Sequence, residues 1–79
     1  MQTKYAMKAV FAPNVETKEG RSKYTLYPEK LFNTYDEAEE ALDGEYGDTL
    51  AQAATIDSEN EEDLKGYYFL YLGIYEVTV

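Results

Sequence analysis

The sequence predicts an α+β domain: a small three- or four-stranded antiparallel sheet with one capped helix packed on one face, in the order β-β-α-(β)-β. Three observations lead there. Two N-terminal segments alternate apolar and polar side chains with period two. A capping box at Thr34 opens a stripe of apolar residues at helical spacing. The stretch from Tyr67 to Val79 is dense in aromatic and β-branched residues.

Thr3 to Ala12 reads as the first strand. Tyr5, Met7, Ala9 and Phe11 fall on one face; Lys4 and Lys8 fall on the other, with Ala6 and Val10 between them. Pro13-Asn14 stops it, and the polar stretch through Glu19-Gly20 suits the turn of a hairpin. Ser22 to Tyr27 alternates again, Tyr24 and Leu26 against Lys23, Thr25 and Tyr27. Pro28 closes this strand, because it has no N–H to give a ladder.

Thr34-Tyr35-Asp36-Glu37 then matches a capping box. The Thr34 hydroxyl serves the amide of Glu37, and the Glu37 carboxylate reaches back to the amide of Thr34. Tyr35, Ala38, Ala41 and Leu42 form the apolar stripe, and Gly44 is a natural C-cap. Acids in the first turn complement the helix dipole, whereas Asp43 near the last turn opposes it. Residues 45–57 carry two patterns. Thr49 to Ala54 fits a helical turn capped by Asp48, and Leu50 to Asp57 fits a strand ending in Thr55-Ile56. The strand is preferred, because the C-terminal segment needs a neighbour. Asp57-Ser58-Glu59-Asn60-Glu61-Glu62-Asp63 reads as an acidic loop. In the final strand Tyr67, Phe69, Tyr71, Tyr75 and Val77 share one face, and Tyr68, Leu70, Leu72 and Ile74 the other, with Gly73 as a candidate bulge. Both faces are apolar, so this strand is expected at the centre of the sheet. One short helix covers only one face of such a sheet. The other must be covered by the 45–57 segment, a second copy or a different partner, and a homodimer through strand or sheet contacts follows as one expectation.

Seventy-nine residues make one domain, 1–79. Cysteine and histidine are both absent, which excludes disulfides, zinc–thiolate sites, thiol catalysis and the usual general base. The N-terminus lacks the roughly seven or more consecutive apolar residues of a signal peptide. No stretch approaches the ~20 apolar residues of a membrane span. The expectation is a soluble, cytoplasmic protein without membrane contact. The net charge of −9 is split: residues 1–35 hold six of the seven basic residues against three acids, and residues 36–79 hold thirteen acids against Lys65. Such a surface repels nucleic acid, so no direct nucleic-acid binding is expected, and it attracts a basic protein surface.

Asp57, Glu59, Glu61 and Asp63 alternate as early calcium-loop ligands do, but the sixth and twelfth positions, Glu62 and Tyr68, lack the required Gly and Glu. No phosphate loop or nucleophile elbow is present, and no carboxylate pair is singled out for acid–base chemistry. The reading is therefore a non-enzyme without cofactor or metal. Twelve carboxylates lie between Asp36 and Asp63, with Asp36, Glu40 and Asp43 aligned along the helix. The plain account is a solubilising face. The sharper account is a mimic of nucleic-acid phosphate that enters a basic groove. The candidate partner-binding residues are Asp36, Glu37, Glu39, Glu40, Asp43, Glu59, Glu61, Glu62 and Asp63, joined by Tyr68, Tyr71 and Tyr75, because tyrosine is enriched at interfaces. In size, acidity and lack of catalytic residues the chain is similar to the small host-targeting inhibitors of phages and mobile elements, anti-CRISPR and anti-restriction proteins among them. That likeness is compositional, and it implies inhibition of a host protein by occupation of its basic surface. The alternative is a self-associating structural or assembly protein whose acids only keep it in solution.

Overall fold

A computed structural model describes residues 1–13 and 22–79. The elements are β1 (Thr3–Pro13), β2 (Lys23–Phe32), α1 (Tyr35–Leu42), α2 (Glu45–Asn60), a single 3₁₀ turn (Glu62–Leu64) and β3 (Tyr67–Thr78). The strands form one antiparallel sheet in the order β2-β1-β3, with both helices on one face. The small antiparallel α+β fold is as the sequence predicts. Residues 14–20 of the expected hairpin turn lie outside the described residues.

The central strand is β1, and the expectation that the C-terminal strand lies at the centre is corrected. Met7, Ala9 and Phe11 are fully buried beneath the helices, and Ala6 and Val10 are buried on the opposite face. Lys4 and Lys8 had made that outer face look solvated. The Lys8 stem instead lies along the sheet beside Gly73, and its ammonium sits 5.3 Å from the centre of the Tyr24 ring. A lysine that lays its methylenes on apolar surface and carries its charge to the rim is compatible with a middle strand. Two apolar faces on β3 therefore do not place it in the middle.

Pro28 does not end β2. Met7 pairs with Tyr27 and Tyr5 with Phe32, so four residues of β2, Pro28 to Leu31, lie opposite Ala6 alone. The proline is accommodated in this bulge, on an edge strand where its missing N–H leaves no ladder bond unmade.

Residues 45–57 are helical, so the preferred strand is overturned and α2 absorbs the first half of the supposed acidic loop. Tyr46, Leu50 and Ala54 follow one another at i, i+4 and i+8 and face the sheet. The Thr55-Ile56 pair lies on the solvent side, where Ile56 is 56% exposed. The Thr55 hydroxyl donates to the Ala51 carbonyl at 2.9 Å, which is how a polar β-branched residue settles inside a helix. Alanines at 51, 53 and 54 supply the helix propensity that outweighs the β-branched end.

The Thr34 hydroxyl accepts from the Glu37 amide at 3.1 Å as expected. The Glu37 carboxylate reaches one residue further back, to the Asn33 amide at 3.1 Å, rather than to Thr34. Gly44 follows the α1 C-cap, Asp43, and itself caps α2. Gly66 has φ +85°, a conformation that favours glycine, in the turn into β3.

The two helices meet where no side chain fits. Gly47, buried in the first turn of α2, lies against the end of α1, and a Cβ there would stand 1.8 Å from the Leu42 carbonyl oxygen and 2.7 Å from its carbon. Gly47→Ala is expected to lower stability by about 1–3 kcal/mol despite alanine's better helix propensity, because backbone must move. Urea unfolding followed by circular dichroism checks this, and an unchanged or raised midpoint would contradict the packing described.

Candidate interaction surfaces

Three groups of polar residues merit attention: the acids of the helical layer, a groove beside β2, and the tyrosines of the uncovered sheet face.

The candidate acids Asp36, Glu37, Glu39 and Glu40 are all exposed on α1, as is Asp43 at its C-cap. Glu59 lies in the last turn of α2, Glu61 follows it, and Glu62 and Asp63 lie in the 3₁₀ turn; all four are exposed. This second group has a fixed backbone. The Glu61 amide donates to the Asp57 carbonyl at 2.8 Å, and the Leu64 amide to the Glu61 carbonyl at 3.1 Å. Lys23, whose ammonium also lies 4.8 Å from the Tyr67 ring centre, donates to the Asp63 carbonyl at 2.6 Å. The two acid groups do not coincide. They sit at opposite ends of α2, whose sixteen residues span ~24 Å.

Three further acids of the same run were not among the candidate residues. Glu45 and Asp48 lie in the first turn of α2, and Asp57 in its last turn. Asp57, Glu61 and Asp63 line an open groove of about 560 Å³ with Lys23, Tyr24, Thr25 and Leu64. The i, i+4 spacing of Asp57 and Glu61 was the available signal, legible once the stretch is read as helix. Among the described residues no group of three or more such side chains is arranged to hold a metal ion. Among them, too, no helix is long and apolar enough to cross a membrane.

Tyr68, Tyr71 and Tyr75 come together on the sheet face away from the helices. They pair with Ala12, Val10 and Ala6, alternate residues of β1. The alternation in the sequence had put Tyr68 opposite the other two. The register shifts between Val10 and Phe11 so that Leu70 is an extra residue in β3. That bulge reverses the facing of everything after it: Leu72 and Ile74 pack under the helices with Phe69 and Tyr67, and Tyr71 and Tyr75 turn outward beside Tyr68. Gly73 is not the bulge. Tyr71 and Tyr68 are 52% and 45% exposed, and Tyr24 and Leu26 of β2 extend the same face at 63% and 45%. The candidate site is therefore two surfaces on opposite sides of the sheet, one acidic and one aromatic.

Three phenols hold their protons more tightly than an ordinary tyrosine. Burial raises Tyr27 first, and the carboxylates of Asp57 and Glu29 add to it. Burial and Glu29 raise Tyr46 and Tyr75. The Tyr27 hydroxyl is buried with no hydrogen-bond partner among the described residues. Because the folded chain keeps these protons to higher pH than the unfolded chain, their contribution is intact below the unfolded tyrosine value of about 10 and is lost as pH rises through the raised folded values. Absorbance titration at alkaline pH should resolve late-ionising tyrosines, with stability falling from about pH 10 upward. Tyr27→Phe should lessen that fall and raise stability below it by ~1 kcal/mol, since it removes an unpaired buried hydroxyl. A single-phase titration with ordinary tyrosine values would contradict the burial.

No known protein-family model matches the chain, and neither a curated protein nor a solved structure shows significant similarity to it.

Proposed function

We propose that this protein is a non-catalytic binding module whose acidic helical layer engages a basic surface of another protein, of the kind that otherwise receives nucleic acid. One observation carries the reading. The stretch from Asp36 to Asp63 holds twelve carboxylates and no lysine or arginine, and eleven of the twelve are exposed, on α1, α2, the 3₁₀ turn and the cap residues Asp43 and Glu61.

Folding uses only part of that density: Asp36, Glu37, Glu45 and Asp48 lie in first turns, where they complement the helix dipoles. Neither α1 nor α2 has a basic residue in its last turn, and the carboxylates of Asp57 and Glu59 face the negative end of the α2 dipole. Each such placement opposes the helix by ~0.3–1 kcal/mol at low salt. Like charges at i and i+4, as at Asp36 and Glu40, add a smaller penalty. A basic partner turns the same field into attraction and accelerates encounter. With acids at both ends of α2, the negative surface has the length of a groove rather than of a single ion pair. Occupation of such a groove would exclude phosphate and inhibit the partner.

The test is displacement of a labelled DNA duplex from basic nucleic-acid-binding proteins. The reading expects affinity to fall at least about tenfold between about 50 and 300 mM salt, because exposed charges are screened within ~10 Å at 0.1 M. Joint replacement Glu59→Gln, Glu61→Gln, Glu62→Gln and Asp63→Asn should weaken displacement while leaving the circular dichroism spectrum intact. Displacement indifferent to both salt and these amides would reject the reading.

A further inference from the structure

We propose that β3 is a dimerisation edge: two copies join β3 to β3, antiparallel about Ile74, into one six-stranded sheet of order β2-β1-β3-β3-β1-β2. This inference is independent of the acidic layer.

The two edges of the sheet differ in kind. The β2 edge carries Pro28, a four-against-one bulge, Lys23 and Lys30. These are the devices by which sheets avoid edge pairing. The twelve residues of β3, YYFLYLGIYEVT, contain no proline, no lysine and a single charge, Glu76. This most apolar segment of the chain has not one buried residue. A long apolar strand at an edge is a template for another strand.

Ladder geometry shows which of its groups face outward. Gln2 and Val79 exchange both backbone hydrogen bonds, at 2.8 and 2.9 Å. In an antiparallel ladder such pairs alternate with non-bonded ones. Counting back through the regular register, Val77, Tyr75, Gly73 and Tyr71 direct their N–H and C=O groups at β1. Leu72, Ile74, Glu76 and Thr78 direct theirs away from it, on the side where, among the described residues, no strand lies.

A second copy fits this edge in a register that charge selects. Opposed residues must face the same side of the joined sheet, and outward-directed residues must meet each other. Centring on Ile74 meets both conditions. It sets Leu72 of each copy against Glu76 of the other and makes six backbone hydrogen bonds. Tyr75 then lies against Gly73 of the other copy, where the missing side chain leaves room for its ring. The two Glu76 carboxylates stand four positions apart along the strands, ~14 Å. Centring one residue later would bring them to two positions, ~7 Å. The edge is thus self-complementary, as a two-fold interface requires. The strand itself brings a single charge, Glu76, to the meeting of two molecules of net charge −9. Salt should therefore tighten this association, the opposite of its effect on a contact with a basic partner.

Sedimentation equilibrium of the full chain in about 0.1 and 0.5 M salt, at up to about 100 μM, tests it. The expected result is a closed dimer of twice the 9.1 kDa chain mass, tighter by several-fold at the higher salt. Glu76→Pro removes an outward N–H and leaves the β1 ladder whole, so it should yield a folded monomer. Glu76→Gln keeps that N–H and should remain dimeric. A monomer under every condition, open-ended assembly, or a dimer indifferent to Glu76→Pro would overturn the proposal. Should Glu76→Pro fail to fold, amide exchange of the natural chain decides: protection at Ile74 and Glu76 must rise with protein concentration, and concentration-independent exchange there would overturn it.

Discussion

Met7, Ala9 and Phe11 of β1 have no exposed surface, and the helices come down onto them through two alanines, Ala38 and Ala54, which are themselves fully buried. Everything else in the molecule is arranged around this contact. Alanine lets each helix approach closely. The bulky β1 residues then fill the layer together with Phe32, Leu64 and the half-buried residues of β3. Truncating Phe11 alone removes packing of the order of 3–5 kcal/mol, a large part of the stability of a domain this small. The same geometry explains why the acids lie outward. Helices whose inner faces are this narrow have most of their circumference left for charge.

The charge and the aromatic surface are consequently separated by the thickness of the sheet. The helical layer carries the carboxylates from Asp36 to Asp63, and the far face carries Tyr24, Tyr68 and Tyr71, with the Lys8 ammonium over the Tyr24 ring. A contact made by one face leaves the other accessible. A module of this kind could hold a basic partner on its helices while a second copy extends its sheet.

Much of the fold was legible in the sequence, because period-two alternation and the capping box are local signals that tertiary packing did not override. The first strand and α1 are where their patterns put them, and the second strand starts as its pattern does but runs through Pro28 to Phe32. The remainder failed for physical reasons that particular residues show. At 45–57, β-branched Thr55 and Ile56 argued for a strand, but they lie on the solvent side of a helix whose inward positions are Tyr46, Leu50 and Ala54. The position of β3 was misjudged because apolar content was equated with burial, whereas Lys8 lies flat on the central strand. The extra residue at Leu70 reversed the facing of the last strand, and no glycine or proline marks it. The candidate acids were correctly read as exposed, but their division into two groups depends on the length of α2. Tyr68 shares a face with Tyr71 and Tyr75 only because of the bulge, which the alternation in the sequence does not show.

The claim on which this account stands is that β1, bonded on both sides and sealed under both helices, is the last element to open. Amide hydrogen exchange under native conditions measures that directly. Amides from Lys4 to Phe11 should exchange most slowly of all, with an opening free energy equal to that of global unfolding by urea. Helix α2 amides that outlast those of β1, or β1 amides that open well below the global value, would contradict it.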